Sequence, residues 1–68
     1  MNGKHIGEIL IELRTKKGKT VTEAAKDLDI STSALSMYEN GERIPRDNIK
    51  IRIANYYDKS VASIFFAN

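Results

Sequence analysis

Side chains able to carry covalent chemistry are scarce in this sequence: one histidine, no cysteine, and nine carboxylates spread over what read as helix surfaces. A nucleophile, a base and a third group to orient them do not occur together, and no glycine-rich loop is spaced to cradle a phosphate, so an enzyme is the weakest reading. His5 stands near a terminus with no companion for metal binding or proton transfer, and it reads as a surface residue. No metal, cofactor or small-molecule site is expected. What the chain does hold is a set of groups that bind. Thr32, Ser33, Ser36 and Met37 fall on one helical face, with Thr20, Asn40, Arg43 and Arg46 around them. Hydroxyls and amides hydrogen-bond, thioethers and methyls touch apolar edges, and guanidinium groups meet phosphate oxygens two at a time.

Those groups need a frame, and the stretch from Thr20 to Gly41 supplies one. Thr20 starts a short helix: its hydroxyl can accept from a backbone N–H near Glu23, whose carboxylate reaches back in a capping box. Ala24, Ala25 and Leu28 form the buried stripe. The run ends at Asp29, a short polar residue that tolerates the left-handed conformation; Ile30 returns to the core and Ser31 caps the next helix. Leu35 and Tyr38 face inward from that second helix, and Gly41 stops it. This is the pattern of a helix-turn-helix. Ala25 suits the closest approach of the two helices, and Leu35 fills the gap between them. In such a motif the second helix enters the major groove, where Thr32, Ser33, Ser36 and Met37 meet base edges. None of the four is charged or can make a two-pronged base contact, so base readout is modest per residue and more is left to DNA shape and operator symmetry. Thr20 with the amides behind it, Asn40, Arg43 and Arg46 are the phosphate contacts.

The sequence resembles the phage repressor and Cro-like, or XRE-type, helix-turn-helix family over nearly its whole length. The matching stretches are Arg14, Thr20 with Glu23 and Ala25, Ser31-Thr32-Ser33, Tyr38-Glu39-Asn40-Gly41, the Arg43 to Pro45 segment, and Ile53-Ala54 with Tyr57. The resemblance implies a lambda-repressor-like DNA-binding domain: all-α, a compact bundle of five short helices, with the helix-turn-helix formed by the second and third. It also places Arg14 and Glu39 together as a structural ion pair, for which the planar Arg fork is suited. Three positions depart from the family pattern. Val21 stands in place of glutamine, which weakens one phosphate contact, Ala24 in place of leucine, and Asp29 in place of glycine.

The rest of the chain fits a single domain over residues 1–68, with room for one small core and no separate ligand-sensing domain. Ile6, Ile9, Leu10 and Leu13 recur at helical spacing, so a first helix runs from about Gly3 to Lys17, with Gly18 as its stop. The second helix runs from about Val21 to Leu28 and the third from about Thr32 to Asn40. Residues 41–46 form a loop in which Ile44, restricted by Pro45, tucks into the core. Asp47 caps a fourth helix with the inward stripe Ile49, Ile53, Ala54 and Tyr57, leaving Ile51 and Tyr56 off it. Ser60 caps a final turn through Val61, Ile64 and Phe65. One terminal aromatic closes the core; Ile64 and Phe66 are then the expected dimer contact.

Eleven lysines and arginines against nine acids give a net charge of +2, only mildly basic. Placement matters more: Arg14, Lys16, Lys17 and Lys19 precede the motif, while Arg43, Arg46, Lys50 and Arg52 follow it. No apolar run approaches the ~20 residues of a membrane span, and no signal-peptide core is present, so a cytoplasmic protein is expected; the family resemblance implies one that is bacterial or phage-encoded and nucleoid-associated when bound. The first expectation is a sequence-specific regulator of transcription, a repressor bound as a homodimer to a palindromic operator in double-stranded DNA. The alternative is a protein-interaction adaptor or antitoxin using the same fold.

Overall fold

The computed structural model describes residues 3–66. Five helices follow in order: α1 (Gly3–Lys17), α2 (Val21–Leu28), α3 (Thr32–Glu39), α4 (Asp47–Tyr56) and α5 (Val61–Phe65), and the described residues include no strand. The fold is all-α, a five-helix bundle with α2 and α3 joined by a tight turn.

Each of the first four helices ends in one way. Gly18, Asp29, Gly41 and Asp58 take left-handed φ values of 74°, 59°, 76° and 56°. After each helix the reversed residue's N–H and the next one bond back to carbonyls three and five positions earlier, as in Glu42 to Met37 at 3.0 Å and Ile30 to Ala25 at 3.0 Å. This motif satisfies carbonyls that would otherwise be orphaned, and it turns the chain sharply enough for the next helix to pack at once. Starts are equally local. The hydroxyls of Thr20, Ser31 and Ser60 accept from Glu23, Ala34 and Ser63 N–H at 3.1, 3.0 and 3.1 Å.

Every helix contributes to one core. Ile6 and Leu10 come from α1, Ala24, Ala25 and Leu28 from α2, Leu35 and Tyr38 from α3, Ile53 and Ala54 from α4, Ile64 and Phe65 from α5, with Tyr57 just past α4. A fully buried Leu or Ile stabilises by roughly 1.5–3 kcal/mol, and an alanine at a crossing lets that packing close. α1 and α3 approach closest at Gly7, where an added Cβ would overlap the carbonyl of Glu39. Only a residue without a side chain lets those two backbones meet.

Four expectations are corrected. Ile44 is 36% exposed, and Pro45 is the buried residue of that loop, because the proline ring offers apolar surface with no N–H to satisfy. Asp47 is the first residue of α4 rather than its cap; Arg46 holds the cap position and makes no side-chain bond there. His5 is half-buried on α1. Ile64 is 1% exposed: α5 turns it into the core beside Phe65, so its side chain is not on the surface that a dimer contact requires.

Candidate nucleic-acid interface

Residues i, i+1, i+4 and i+5 of a helix share one flank, and Thr32, Ser33, Ser36 and Met37 on α3 are such a set. Thr32 and Ser33 are exposed, Ser36 and Met37 half-buried, while Leu35, Tyr38 and Glu39 are buried on the opposite flank. The face is fixed from both ends. Ser31 caps its start through Ala34 N–H, and Gly41 reverses the chain after Asn40. Asn40 is exposed just beyond the last turn.

Behind that face, Arg14 reaches from α1 across the bundle. Its Nε donates to Glu39 Oε2 at 2.8 Å, its Nη2 to Glu39 Oε1 at 3.2 Å and its Nη1 to the carbonyl of Lys19 at 2.9 Å. One planar fork therefore joins the end of α3 to the residue before the α2 cap. The Glu39 side chain is 5% exposed and that of Arg14 17%, so the pair is largely dry. Hydrogen bonding to Glu39 makes the guanidinium hold its proton still more tightly, against the opposing cost of burial. Tyr57 lies nearby, its hydroxyl buried without a hydrogen-bond partner among the described residues. Burial first, and the Glu39 charge second, push its pKa up to about 12, so the phenol stays neutral.

At the start of α2 the capping box is complete: Thr20 N–H donates to Glu23 Oε1 at 2.9 Å while the Thr20 hydroxyl accepts from Glu23 N–H. Hydrogen bonding to the Thr20 backbone, then to its side chain, holds the Glu23 carboxyl below its usual range. This leaves the N–H groups of Val21 and Thr22 as the open donors of the helix. Thr22, which is exposed, adds a hydroxyl there that sequence reasoning passed over.

The cations divide sharply. Arg43 and Arg46 are exposed, line one shallow cavity of about 280 Å³ with Tyr38, Ile44, Asn48 and Ile49, and have no carboxylate partner among the described residues. The other basic residues flanking the motif are engaged. Lys16 pairs with Glu12 at 3.2 Å and Lys19 with Asp27 at 3.7 Å, while Lys17 sits 4.8 Å over the Tyr56 ring. Lys50 is buried, and Arg52 donates to the carbonyls of Leu28 at 2.9 Å and Asp29 at 3.4 Å, a cation at the negative end of α2. Lys50 and Arg52 therefore drop out of the basic flank expected after the motif. Tyr56, expected off the apolar stripe, instead packs against the core while its hydroxyl donates to Asp27 Oδ2 at 2.6 Å; that bond lowers the Asp27 pKa, and burial first, with the bond second, raises that of Tyr56. Among the described residues no three acidic or histidine side chains stand together as a metal set, and no helix is long and apolar enough to cross a membrane.

The chain is similar to known proteins in sequence and in fold. A family model described as helix-turn-helix matches residues 10–64. The chain is 38% identical over 55 residues to the HTH-type transcriptional regulator ImmR of Bacillus subtilis, covering 81% of this chain and 43% of ImmR. It is also 38% identical over 56 residues to an HTH-type protein of Thermococcus kodakarensis, covering 82% of this chain and 18% of that protein. It thus spans less than half the length of either relative. Its backbone superposes on the clp gene regulator ClgR of Corynebacterium glutamicum with a TM-score of 0.81 at 24% identity, covering 97% of this chain and 86% of that one, a likeness of fold. The chain belongs to the XRE-type helix-turn-helix family.

Proposed function

We propose that this chain is a DNA-binding regulator of transcription, cytoplasmic, that reads a palindromic operator as a homodimer and represses by occluding a promoter. The observation that carries the reading is the α3 flank of Thr32, Ser33, Ser36 and Met37, capped at Ser31, together with two exposed arginines in the loop after α3 that have no acidic partner among the described residues. In this reading the four α3 residues touch base edges, and Thr20, Asn40, Arg43 and Arg46 hold phosphates. Arg14 and Glu39 hold α3 in place and touch no base. The described residues extend 27 × 23 × 21 Å. One copy is therefore too short to fill two major grooves about 34 Å apart, and a two-fold operator calls for two copies.

Titrating the protein with a random-sequence duplex and with duplexes selected from a random pool, across a series of salt concentrations, tests the reading. Affinity should fall steeply with salt, and Arg43→Ala should flatten the log–log slope by about one, the loss of one phosphate contact. The selected sequences should converge on a two-fold symmetric site. A protein serving only as an adaptor or antitoxin would show no salt-dependent DNA affinity, and that result would overturn the proposal.

A further inference from the structure

An asparagine followed by glycine is chemically labile, because a residue without a side chain leaves nothing to obstruct attack of its nitrogen on the amide before it. The sequence holds two such pairs, Asn2-Gly3 and Asn40-Gly41, and Asn2 lies outside the described residues. Asn40 is exposed just past α3, where its amide is assigned above to a DNA phosphate. The reaction is intramolecular. The Gly41 nitrogen gives up its proton and bonds to Asn40 Cγ, the bond from Cγ to the amide nitrogen breaks, ammonia leaves with that proton, and a five-membered imide remains. Water then opens the ring at either carbonyl, giving an aspartate, or an isoaspartate whose main chain runs through Cβ and Cγ. Solvent water is the one co-reactant.

The fold holds Asn40-Gly41 in a conformation that forbids the first step. Closing the ring requires the Gly41 nitrogen to eclipse Asn40 Cβ. At the Asn40 ψ of −4° it eclipses the residue's own nitrogen instead, about a third of a turn away around the tetrahedral Cα. The proton that must leave is engaged as well: Gly41 N–H donates to the Tyr38 carbonyl at 3.2 Å, and the next N–H, of Glu42, to that of Met37 at 3.0 Å. Gly41 has no room to swing aside. A Cβ there would stand 3.0 Å from Lys4 Cα and 3.1 Å from the Gly3 carbonyl carbon, so its backbone lies against the first turn of α1. Turning Asn40 into the reactive conformation therefore breaks both bonds and lifts α1 from the end of α3. We infer that Asn40-Gly41 is a deamidation site gated by the contact of α1 with α3: closed, the pair does not react; opened, it converts irreversibly and costs the domain its grip on DNA. The gate stands on the turn geometry alone, while the loss of binding rests on the DNA-binding reading. A domain that recloses after conversion carries a carboxylate where the neutral amide met a phosphate, and like charges disfavour association.

Incubating the full chain in mildly alkaline buffer and in guanidinium, with peptide mapping by mass spectrometry, follows each asparagine as its amide becomes an acid. In denaturant Asn40 and Asn2 should convert alike. In buffer Asn40 should convert at least about a hundredfold more slowly, because the rate there is scaled by the fraction of time the site is open. Arg14→Ala, which loosens α1 from α3, should speed conversion in buffer at least about tenfold. If that variant does not fold, the wild type at guanidinium concentrations below its unfolding midpoint replaces it, and the rate should rise in step with the open fraction. Equal rates in buffer and in denaturant, or a rate in buffer that neither change raises, would overturn the gate. For the second half, Asn40→Asp, with circular dichroism as the check on folding, should bind a selected duplex at least about tenfold more weakly than the wild type. Unchanged affinity would overturn the loss of binding. A wild type without any DNA affinity would overturn the DNA-binding reading and the loss of binding with it, while the gate is decided by mass in either case.

Discussion

Two neighbours hold α3, and they hold it differently. Against α2 it is fixed by devices a few residues apart: the cap at Ser31, the left-handed turn at Asp29, and small and apolar side chains at Ala25, Leu28 and Leu35. Against α1 it is fixed by contacts between residues far apart in the chain: Gly7 beneath the Glu39 carbonyl, Gly3 whose Cβ would stand 2.9 Å from the Gly41 oxygen, and the Arg14 fork on Glu39. The α2 joint is graded, because a worse cap or turn residue costs a fraction of its free energy and leaves the geometry. The α1 seam has no such tolerance. A methyl between two backbones or an unpaired buried carboxylate has nowhere to go.

Breaking the seam should therefore have the largest effects. Arg14→Ala strands Glu39, 5% exposed, without its partner. It should cost about 3 kcal/mol, which in a domain this small lowers the melting temperature by roughly 15 °C. Under conditions where the variant is still folded, its DNA affinity should be close to that of the wild type. Unchanged melting with weakened binding would move Arg14 from the scaffold to the DNA. Gly7→Ala should follow at about 2 kcal/mol, as overpacking forces α1 and α3 apart. Here thermal melting and urea denaturation should agree, and an unaltered midpoint would show that the seam can open without loss.

The same contrast explains what could be read from the sequence. Caps and turns are written within three or four residues, so Thr20 with Glu23, Asp29, Ser31, Gly41 and Ser60 were legible, as were all five helices and nearly all of the core stripe. The Arg14 and Glu39 pair, 25 residues apart, was expected only because a family resemblance joined the two positions. Contacts between distant residues with no such guide were not legible. Arg52 on the α2 carbonyls spans 24 residues and Tyr56 on Asp27 spans 29, and nothing local marks either. Lys50 and Arg52 looked like basic surface because composition does not tell which cations find partners inside the fold. Gly7 in the middle of α1 had one available signal, a residue of poor helix propensity kept in a helix interior, which is worth suspecting as a close-approach site. Ile64 was misread because two apolar residues next to each other near a chain end do not reveal which of them faces in.

Asp29 offers the smallest effect and the sharpest comparison. Its φ of 59° lies where a side chain costs energy and glycine does not, whereas the equivalent reversal after α3 already uses Gly41, at φ 76°. Its side chain is exposed, and the bonds the turn makes are backbone ones: its N–H to Lys26, Ile30 N–H to Ala25, and Arg52 to its carbonyl. Glycine keeps all three. Asp29→Gly removes the left-handed strain but adds freedom to the unfolded chain, so the net gain should be small, about 0.5 kcal/mol, read as a rise of a few degrees in melting temperature. DNA affinity should not change, since the turn geometry is the same. A fall in stability would mean that the Asp29 carboxylate itself supports the turn, and the α2 joint would then depend on a side chain as firmly as the α1 seam depends on Arg14.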